Sequence, residues 1–395
     1  MKIDPRIAAV QSQLTAWRRD IHAHPELGFE ELRTSELVAS KLKEFGCEVT
    51  TGIAKTGVVG TIRVGNSPRA IGLRADMDCL PMQELNDFAH RSKHKGRMHA
   101  CGHDGHTTML LGAAQYLAAT RNFEGAVHFF FQPAEEGGGG GKVMVEEGLF
   151  EKFPCEAVFG MHNRPSLPAG TFAVRPGPMM AAAGRFDINI TGKGAHGARP
   201  ESGVDPVLVG GHIITALQSI VSRNVSPHYP AVISVTQMHA GDAYNVIPES
   251  AVLRGTFRAF LPEVIDMIMT NIRRVSEGVA AALGAKVDFW LEETYPPLVN
   301  NADEAAFAAS VAEEIVGKEN VNRNGPLVMG SEDFSFMLNA CPGAFMLIGN
   351  GGLEGEGEVA CEVHNPKYDF NDNILPLGAT FLSRLVETRL APKPA

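Results

Sequence analysis

Four short apolar segments constrain the fold of this chain more than any other feature of its sequence. They are VVGTIRV (58–64), AIGLRA (70–75), AVHFFFQ (126–132) and EAVFGMH (156–162). Apolar runs of this length suit strands that are buried on both faces, and helical or turn-forming residues separate them. The pattern predicts an α/β fold in which a mixed sheet is flanked by helices.

Carboxylate and imidazole groups stand where these segments end. Asp76 and Asp78 come after the second segment, Glu135 and Glu136 after the third, and His162 closes the fourth. Open α/β sheets bind ligands in the crevice beyond the carboxyl ends of their strands. We therefore expect these groups to meet in space, although they are far apart in the sequence.

The segment Met98–His106 (MHACGHDGH) contains one thiol, three imidazoles and one carboxylate in nine residues. Zinc and its divalent neighbours prefer such donors, and Gly102 and Gly105 allow the backbone to bend so that the side chains converge. The alternative is a polar loop that opens the following helix, TTMLLGAAQYLAA. Packing or solubility alone rarely gathers so many ligand types, so a metal site is the favoured prediction.

Two further groups of residues extend this site. Glu135 and Glu136 precede a run of five glycines, and on extended backbone one of the two carboxylates could bind a metal while the other acts as a base. The sequence does not assign these roles, and two solvated acids in a loop are the alternative. His162 and His364 are single histidines, which more often have a structural role. However, divalent hydrolases commonly use two metal ions, and the ligands above do not complete two coordination shells, so both histidines are candidate ligands. Asp76 and Asp78 suit the orientation of imidazole N–H groups.

Residues 184–293 have a different pattern, which reads strand, helix, strand, strand, helix, strand. Its helices are predicted over 206–222 and 262–282. This βαββαβ order is typical of a ferredoxin-like domain, so the segment is interpreted as an insert in a catalytic domain made of residues 1–183 and 294–395. The motif GKGAHG (192–197) matches GxGxxG, but prolines delay the next helix, so the loop is expected to display His196 rather than bind a dinucleotide.

Composition and charge exclude several classes of function. The net charge of −10 leaves no broad basic surface for nucleic acid or anionic membrane. No segment approaches the ~18 consecutive apolar residues of a membrane span, and the N-terminal residues lack the apolar core of a signal peptide. The six cysteines form no CxxC pair, which favours individual thiols in a reducing compartment. A cytoplasmic protein is therefore expected.

Motifs along almost the whole chain resemble the M20 family of metallohydrolases, and in particular its amidohydrolase branch, which includes hippurate hydrolase, N-acyl-amino-acid amidohydrolases and auxin-conjugate hydrolases. In chain order the motifs are RRDIHAHPELGFEE, LRADMDCLP, MHACGHDGHTTMLLGAA, FFFQPAEEG, GMHNRP, GKGAHGARP, NVIPE, RGTFR, GSEDFSF and HNP. Two features depart from the family pattern: Cys79 stands where a small apolar residue is usual, and five consecutive glycines after Glu136 make that loop looser than in most members. Both bear on substrate preference or redox sensitivity, and neither is a proposed ligand.

The resemblance implies a centre with two divalent metal ions per subunit. Its implied ligands are Cys101 as a thiolate, His103, Glu136, His162 and His364. Glu135 would be the general base, which takes a proton from the attacking water and later passes it to the leaving amine. Zn, Mn, Co and Ni all tolerate this mixture of donors, so the metal stays open.

The resemblance also implies roles for the inserted domain. Residues 184–293 would form a lid through which the protein is a homodimer. His196 of one subunit would stabilise the oxyanion in the site of the other, with Asn245 and Arg258 as partners of the oxyanion or of the substrate carboxylate.

The implied reaction is metal-dependent hydrolysis of the amide bond of small N-acyl amino acids, either hippurate-like or N-acetyl compounds. Its products are a carboxylic acid and a free amino acid. A dipeptidase or an N-carbamoyl amino acid hydrolase on the same scaffold is the alternative within the enzyme class. A non-catalytic metal- or ligand-binding protein is a more distant one.

Overall fold

A computed structural model of the chain describes residues 1–351 and 361–392. The α-helices are α1 (Pro5–Ala9), α2 (Gln11–Ala23), α3 (Leu32–Glu44), α4 (His103–Thr120), α5 (Gly140–Glu146), α6 (Leu149–Lys152), α7 (Pro206–Arg223), α8 (Pro262–Ala282), α9 (Ala302–Val316), α10 (Phe334–Ala340) and α11 (Leu375–Arg389). The strands are β1 (Glu48–Ile53), β2 (Gly57–Val64), β3 (Ala70–Asp76), β4 (Gly125–Gln132), β5 (Ala157–Pro168), β6 (Phe172–Ala173), β7 (Gly177–Met180), β8 (Ala182–Thr191), β9 (Ala195–His196), β10 (Ala231–Ala240), β11 (Val246–Ile247), β12 (Ser250–Ala259), β13 (Lys286–Tyr295), β14 (Leu298–Asn300), β15 (Val321–Asn322) and β16 (Gly343–Gly351). Among these residues no helix is both long and apolar enough to cross a bilayer.

The described chain divides into two compact units. The larger unit comprises residues 1–177, 299–326 and the described residues from 333 onward, and the smaller unit comprises residues 178–298 and 327–332. The predicted catalytic domain also covers residues 352–360 and 393–395, which lie outside the described residues. The assignment of residues 184–293 as a lid remains a prediction.

An eight-stranded mixed sheet forms the centre of the larger unit, with the order β1-β2-β4-β3-β5-β16-β6-β15. The four central strands β4, β3, β5 and β16 are parallel to their neighbours within that group, whereas β2 pairs antiparallel with β4. Every residue of β3 and β4 is buried, as expected of strands that are covered on both faces. The predicted α/β fold with a mixed sheet flanked by helices is therefore confirmed.

Helix α4 is the element that connects this core to the site. It packs against α2 and α11, and its central Gly112 allows the close approach: a methyl group there would lie 3.0 Å from Leu14 and 3.1 Å from Ala379. The first residues of α4 are buried as well, from His103 through Thr108. The tight packing of the helix body thus sets the position of the imidazoles at its N-terminal end.

The smaller unit contains a four-stranded antiparallel sheet with the order β10-β12-β8-β13. Its elements follow one another as β8, α7, β10, β12, α8 and β13, which is the βαββαβ order. Both helices contact the sheet and each other, and they cover a core that includes Phe186, Ile213, Leu253, Phe257 and Ile268. The other face of the sheet stays more exposed, as the alternating burial along β13 indicates.

Candidate metal centre

The end of β3 and the start of α4 bring two carboxylates to two imidazoles. Asp76 is the last residue of β3 and accepts a hydrogen bond from Nδ1 of His106 at 2.7 Å. Asp78 lies two residues further on, and its Oδ1 is 3.2 Å from Nδ1 of His103, the first residue of α4. Each carboxylate therefore orients one imidazole ring, which is the supporting role that the sequence suggested for them.

His103 and His106 differ in what their second ring nitrogen meets. Nε2 of His103 is buried without a hydrogen-bond partner and lies 3.7 Å from Oδ2 of Asp76. Nε2 of His106 instead accepts the backbone N–H of Asn163 at 3.0 Å. Both nitrogens of His106 thus have hydrogen-bond partners, whereas the buried Nε2 of His103 has none.

Segments from four parts of the sequence complete this cluster. Sγ of Cys101 lies 3.3 Å from Nε2 of His162, and Nε2 of His364 lies 3.1 Å from Oε1 of Glu136. The predicted residues alone form three triads whose ligand atoms lie within 4.8 Å of one another, which are Cys101, His103 and His162; Cys101, Glu136 and His364; and His103, Glu135 and Glu136. The structure therefore brings together all the sequence-predicted ligands and the predicted base, Glu135.

The loop that carries the two glutamates differs from its predicted conformation. Extended backbone was expected, but Glu135 and Glu136 lie in a turn that follows Ala134, whose φ is +53°. This left-handed conformation is unfavourable for alanine, and tertiary contacts hold it. The buried carboxylate of Glu31 accepts the N–H of Ala134 at 2.8 Å and the hydroxyl of Thr56 at 2.5 Å. Burial raises the pKa of Glu31 to about 7.

Glu136 is also tied to the first pair of carboxylates. Its backbone N–H donates to Oδ2 of Asp78 at 2.9 Å, so Asp78 contacts both His103 and the glutamate loop. A single carboxylate thereby joins two segments that carry predicted ligands.

A buried arginine, which the sequence reasoning missed, lies beneath the cluster. Arg74 of β3 is 2% exposed and contacts Asp76 at 2.8 Å and Asp333 at 3.0 Å. Its Nε also donates to Oε1 of Gln132 at 2.8 Å. A charged residue within the otherwise apolar segment AIGLRA was the available signal, because buried arginines require acidic or polar partners.

The electrostatic environment of the cluster is negative. Burial and the charges of Glu136 and Glu135 raise the pKa of the Cys101 thiol well above its usual range. Burial opposes protonation of His103, but Asp76 and Asp78 outweigh it and raise the pKa of that imidazole to about 10. The thiol of Cys101 and the imidazole of His103 therefore retain protons strongly, and a bound metal cation would take the place of those protons.

The donor set fits divalent transition-metal ions. One thiol, imidazoles and carboxylates match the borderline ligands of such ions, and the buried Nε2 of His103 has no hydrogen-bond partner that would compete with a metal. Because the triads overlap, the donors suit a pair of ions better than a single one.

The other three predicted residues belong to the smaller unit. His196 of β9 pairs with Val246 of β11, and the carbonyl of Asn245 accepts the N–H of Gly197 at 2.7 Å. His196 and Asn245 are therefore neighbours, and both side chains are exposed. Arg258 of β12 is half-buried and donates to Thr256 at 2.5 Å; burial and the nearby charge of Arg185 lower its pKa.

Comparison with known proteins gives this geometry a context. The chain is 44% identical over 387 residues to a hippurate hydrolase of Campylobacter jejuni, with 98% of each chain covered. It is 43% identical to an IAA-amino acid hydrolase of Arabidopsis thaliana, with 93% of this chain and 84% of the relative covered. Its structure matches that of Bacillus subtilis YXEP, described as a dinuclear metal binding peptidase from the M20 family, with a TM-score of 0.84, 34% identity and coverage of 97% and 99%. The model of peptidase family M20/M25/M40 matches residues 72–388, and this chain belongs to that family.

Proposed function

We propose that this protein is a metal-dependent amidohydrolase that cleaves the amide bond between an acyl group and an α-amino acid. The observation that carries the proposal is the position of Glu135, whose carboxylate lies within 4.8 Å of ligand atoms of both His103 and Glu136. A potential base thus stands beside a cluster of metal ligands. Hippurate-like and N-acetyl amino acids are the proposed substrates, because relatives named for hippurate and for an IAA-amino acid conjugate share about two-fifths of the sequence.

In this proposal the larger unit holds two divalent ions, which are Zn, Mn, Co or Ni. Their ligands are Cys101, His103, Glu136, His162 and His364. When bound, the ions supply Lewis-acid polarisation of the amide carbonyl and lower the pKa of water.

The side chains then divide the proton transfers between them. Glu135 accepts a proton from the water that attacks the carbonyl carbon, and it returns this proton to the amide nitrogen as the C–N bond breaks. One water is consumed, and a carboxylic acid and a free amino acid leave. Asp78 keeps His103 and the glutamate loop at a constant spacing during both transfers, through its two hydrogen bonds.

The smaller unit is proposed to act as a lid that also forms a homodimer. Nδ1 of His196 accepts the N–H of Ala198 at 3.0 Å, so the neutral ring carries its proton on Nε2 and can donate it to an oxyanion in the partner subunit's site. Asn245 and Arg258 would assist at the oxyanion or the substrate carboxylate. The edge strand β10 and exposed apolar side chains support self-association, namely Leu208, Tyr229, Met238, Tyr244 and Val246. Sedimentation equilibrium tests the dimer.

A cytoplasmic location is also proposed. All six cysteines have free thiols, which suits a reducing compartment. Cell fractionation with an antibody to the protein tests this location, and recovery outside the cytoplasmic fraction would contradict it.

A hydrolysis screen tests the proposed reaction. N-benzoylglycine, N-acetyl amino acids, dipeptides and N-carbamoyl amino acids are each supplied with Zn, Mn, Co or Ni. We expect turnover of the acyl amino acids to exceed that of the other two classes. Preference for dipeptides or N-carbamoyl compounds would favour those alternatives. Bound metal without turnover of any compound would indicate a non-catalytic protein.

A further inference from the structure

Three of the segments that carry predicted ligands have no covalent connection near the cluster. Cys101 precedes α4, His162 lies within β5, and His364 lies in the loop before α11. His162 and His364 each come from a segment that supplies no other predicted ligand, so their distances from Cys101 depend on contacts between segments. A metal ion binds tightly only where that spacing is set in advance.

Asn163 makes contacts to two of these segments at once. It follows His162 directly, and it is 1% exposed. Its side-chain Nδ2 donates to the carbonyl of Cys101 at 2.7 Å, and its backbone N–H donates to Nε2 of His106 at 3.0 Å. The residue next to one ligand therefore holds the backbone of another.

Tyr368 connects the third segment to Asn163. Its fully buried hydroxyl donates to Oδ1 of Asn163 at 2.7 Å, and its backbone N–H donates to the carbonyl of Asn365, beside His364. The N–H of His364 donates in turn to the carbonyl of Ala100 at 2.7 Å. The hydrogen bonds thus form a closed path through all three segments.

Gly102 shows how closely this path is packed. Its φ is +92°, and a methyl group at this position would overlap both the amide of Asn163 and the hydroxyl of Tyr368. Burial raises the pKa of Tyr368 well above its usual range, so its hydroxyl keeps the proton that it donates.

We propose that Asn163 and Tyr368 are positioning residues that set the spacing of the Cys101, His162 and His364 ligands and thereby the affinity of the metal centre. Tyr368 acts through Asn163 and touches neither ion nor substrate. The inference rests on the ligand set of the proposed function. Loss of an outer hydrogen-bond partner of metal ligands typically weakens metal binding 10- to 100-fold.

The test compares two substitutions that each remove one hydroxyl group. Tyr368→Phe breaks the bond to Asn163, whereas the control Tyr116→Phe removes a half-buried hydroxyl that contacts Asp4 and Glu387 at 3.0 and 3.2 Å. The Zn²⁺ dissociation constant is measured by competition with a chromophoric chelator, and the thiolate-to-metal absorption band is recorded with Co²⁺. We expect Tyr368→Phe to weaken Zn²⁺ binding roughly 10- to 100-fold and to shift the Co²⁺ band, with a change of less than about twofold in the control.

A double-mutant cycle separates positioning from a merely structural role. If Tyr368 acts through Asn163, adding Tyr368→Phe to Asn163→Ala should weaken Zn²⁺ binding little further. Fully additive losses of affinity, or parent-like Zn²⁺ affinity in Tyr368→Phe with only a lower unfolding temperature, would overturn the proposal. Because the readout is metal affinity, a parent protein that binds Zn²⁺ but hydrolyses no acyl amino acid would overturn the proposed function alone.

Discussion

The larger and the smaller unit hold their candidate functional residues in different ways. In the larger unit the imidazoles of His103 and His106 are buried, and a carboxylate orients each of them. In the smaller unit His196 and Asn245 are exposed, and their contacts are local ones within a two-stranded ribbon. The difference teaches that buried hydrogen bonds hold the candidate ligands of the larger unit in place, whereas the candidate residues of the smaller unit are exposed and have only local contacts.

The largest expected effect concerns the base of the larger unit. Glu135→Gln should lower kcat roughly 10²- to 10⁴-fold, because the amide cannot accept the proton from water, while the metal content stays that of the parent. The control is Glu146→Gln, the same change at an exposed position of α5. Turnover and metal content are measured on the same samples, and near-parent turnover in Glu135→Gln would remove the general-base assignment.

The next largest effect is expected at His196 of the smaller unit. His196→Ala should lower kcat roughly 10²- to 10³-fold through loss of an oxyanion donor, again without loss of metal. Mixing His196→Ala and Glu135→Gln subunits should restore one working site per mixed dimer if the histidine acts in the partner's site. Absence of recovery after demonstrated subunit exchange would count against that arrangement.

A third prediction concerns pH and the buried network behind α4. Burial opposes protonation of His22, but hydrogen bonds to Asp104 at 2.8 Å and to Glu84 at 3.3 Å outweigh it and raise its pKa from 6.5 to about 9. The protonated ring therefore stabilises the fold fully below pH 6.5, and this contribution, about 3 kcal/mol, is lost as the pH rises to 9.

Urea unfolding of the parent and of His22→Gln between pH 6 and pH 10 measures this contribution. The difference in unfolding free energy between the two proteins should shrink across the window. The exposed His212→Gln in the smaller unit serves as the control and should show no such trend. A constant difference between parent and His22→Gln would contradict the prediction.

The smallest effect is expected at Asp78, whose carboxylate orients the imidazole of His103 in the larger unit. Asp78→Asn leaves one acceptor oxygen for two donors, His103 and the N–H of Glu136, so one of these bonds is lost. Zn²⁺ binding should weaken roughly 10- to 100-fold. Asp187→Asn, which breaks an ion pair with Arg254 in the smaller unit, is the matched control and should leave Zn²⁺ binding unchanged. If both substitutions changed Zn²⁺ binding equally, orientation of His103 by Asp78 would not explain the metal affinity of the larger unit.

Much of the fold could be predicted because hydrophobic periodicity is a local property. The segments 58–64 and 126–132 correspond to β2 and β4, and the predicted helix over 262–282 has the bounds of α8. The convergence of the polar groups also followed, since the carboxyl ends of parallel strands face one crevice. These inferences need only the order of the helices and strands and the pattern of apolar and polar residues along each of them.

The details of the site depend on contacts that no local pattern contains. Glu135 lies in a turn because Glu31, about a hundred residues earlier, holds the N–H of Ala134. Asn163 and Tyr368 look like ordinary polar residues in the sequence, and their hydrogen bonds exist only once β5 and the HNP loop are adjacent. Sequence periodicity also gave no reason for residues 327–332 to group with the smaller unit.

We propose that the larger unit of this amidohydrolase binds two ions at the cluster built from Cys101, His103, Glu136, His162 and His364. The most direct measurement is anomalous X-ray diffraction from crystals of the Zn²⁺-loaded protein, together with metal analysis of the parent and of Cys101→Ala. The account predicts two ions per subunit about 3.5–4 Å apart among these ligands, and a loss of bound metal in Cys101→Ala. A single ion, ions held by other residues, or full metal content in Cys101→Ala would contradict it.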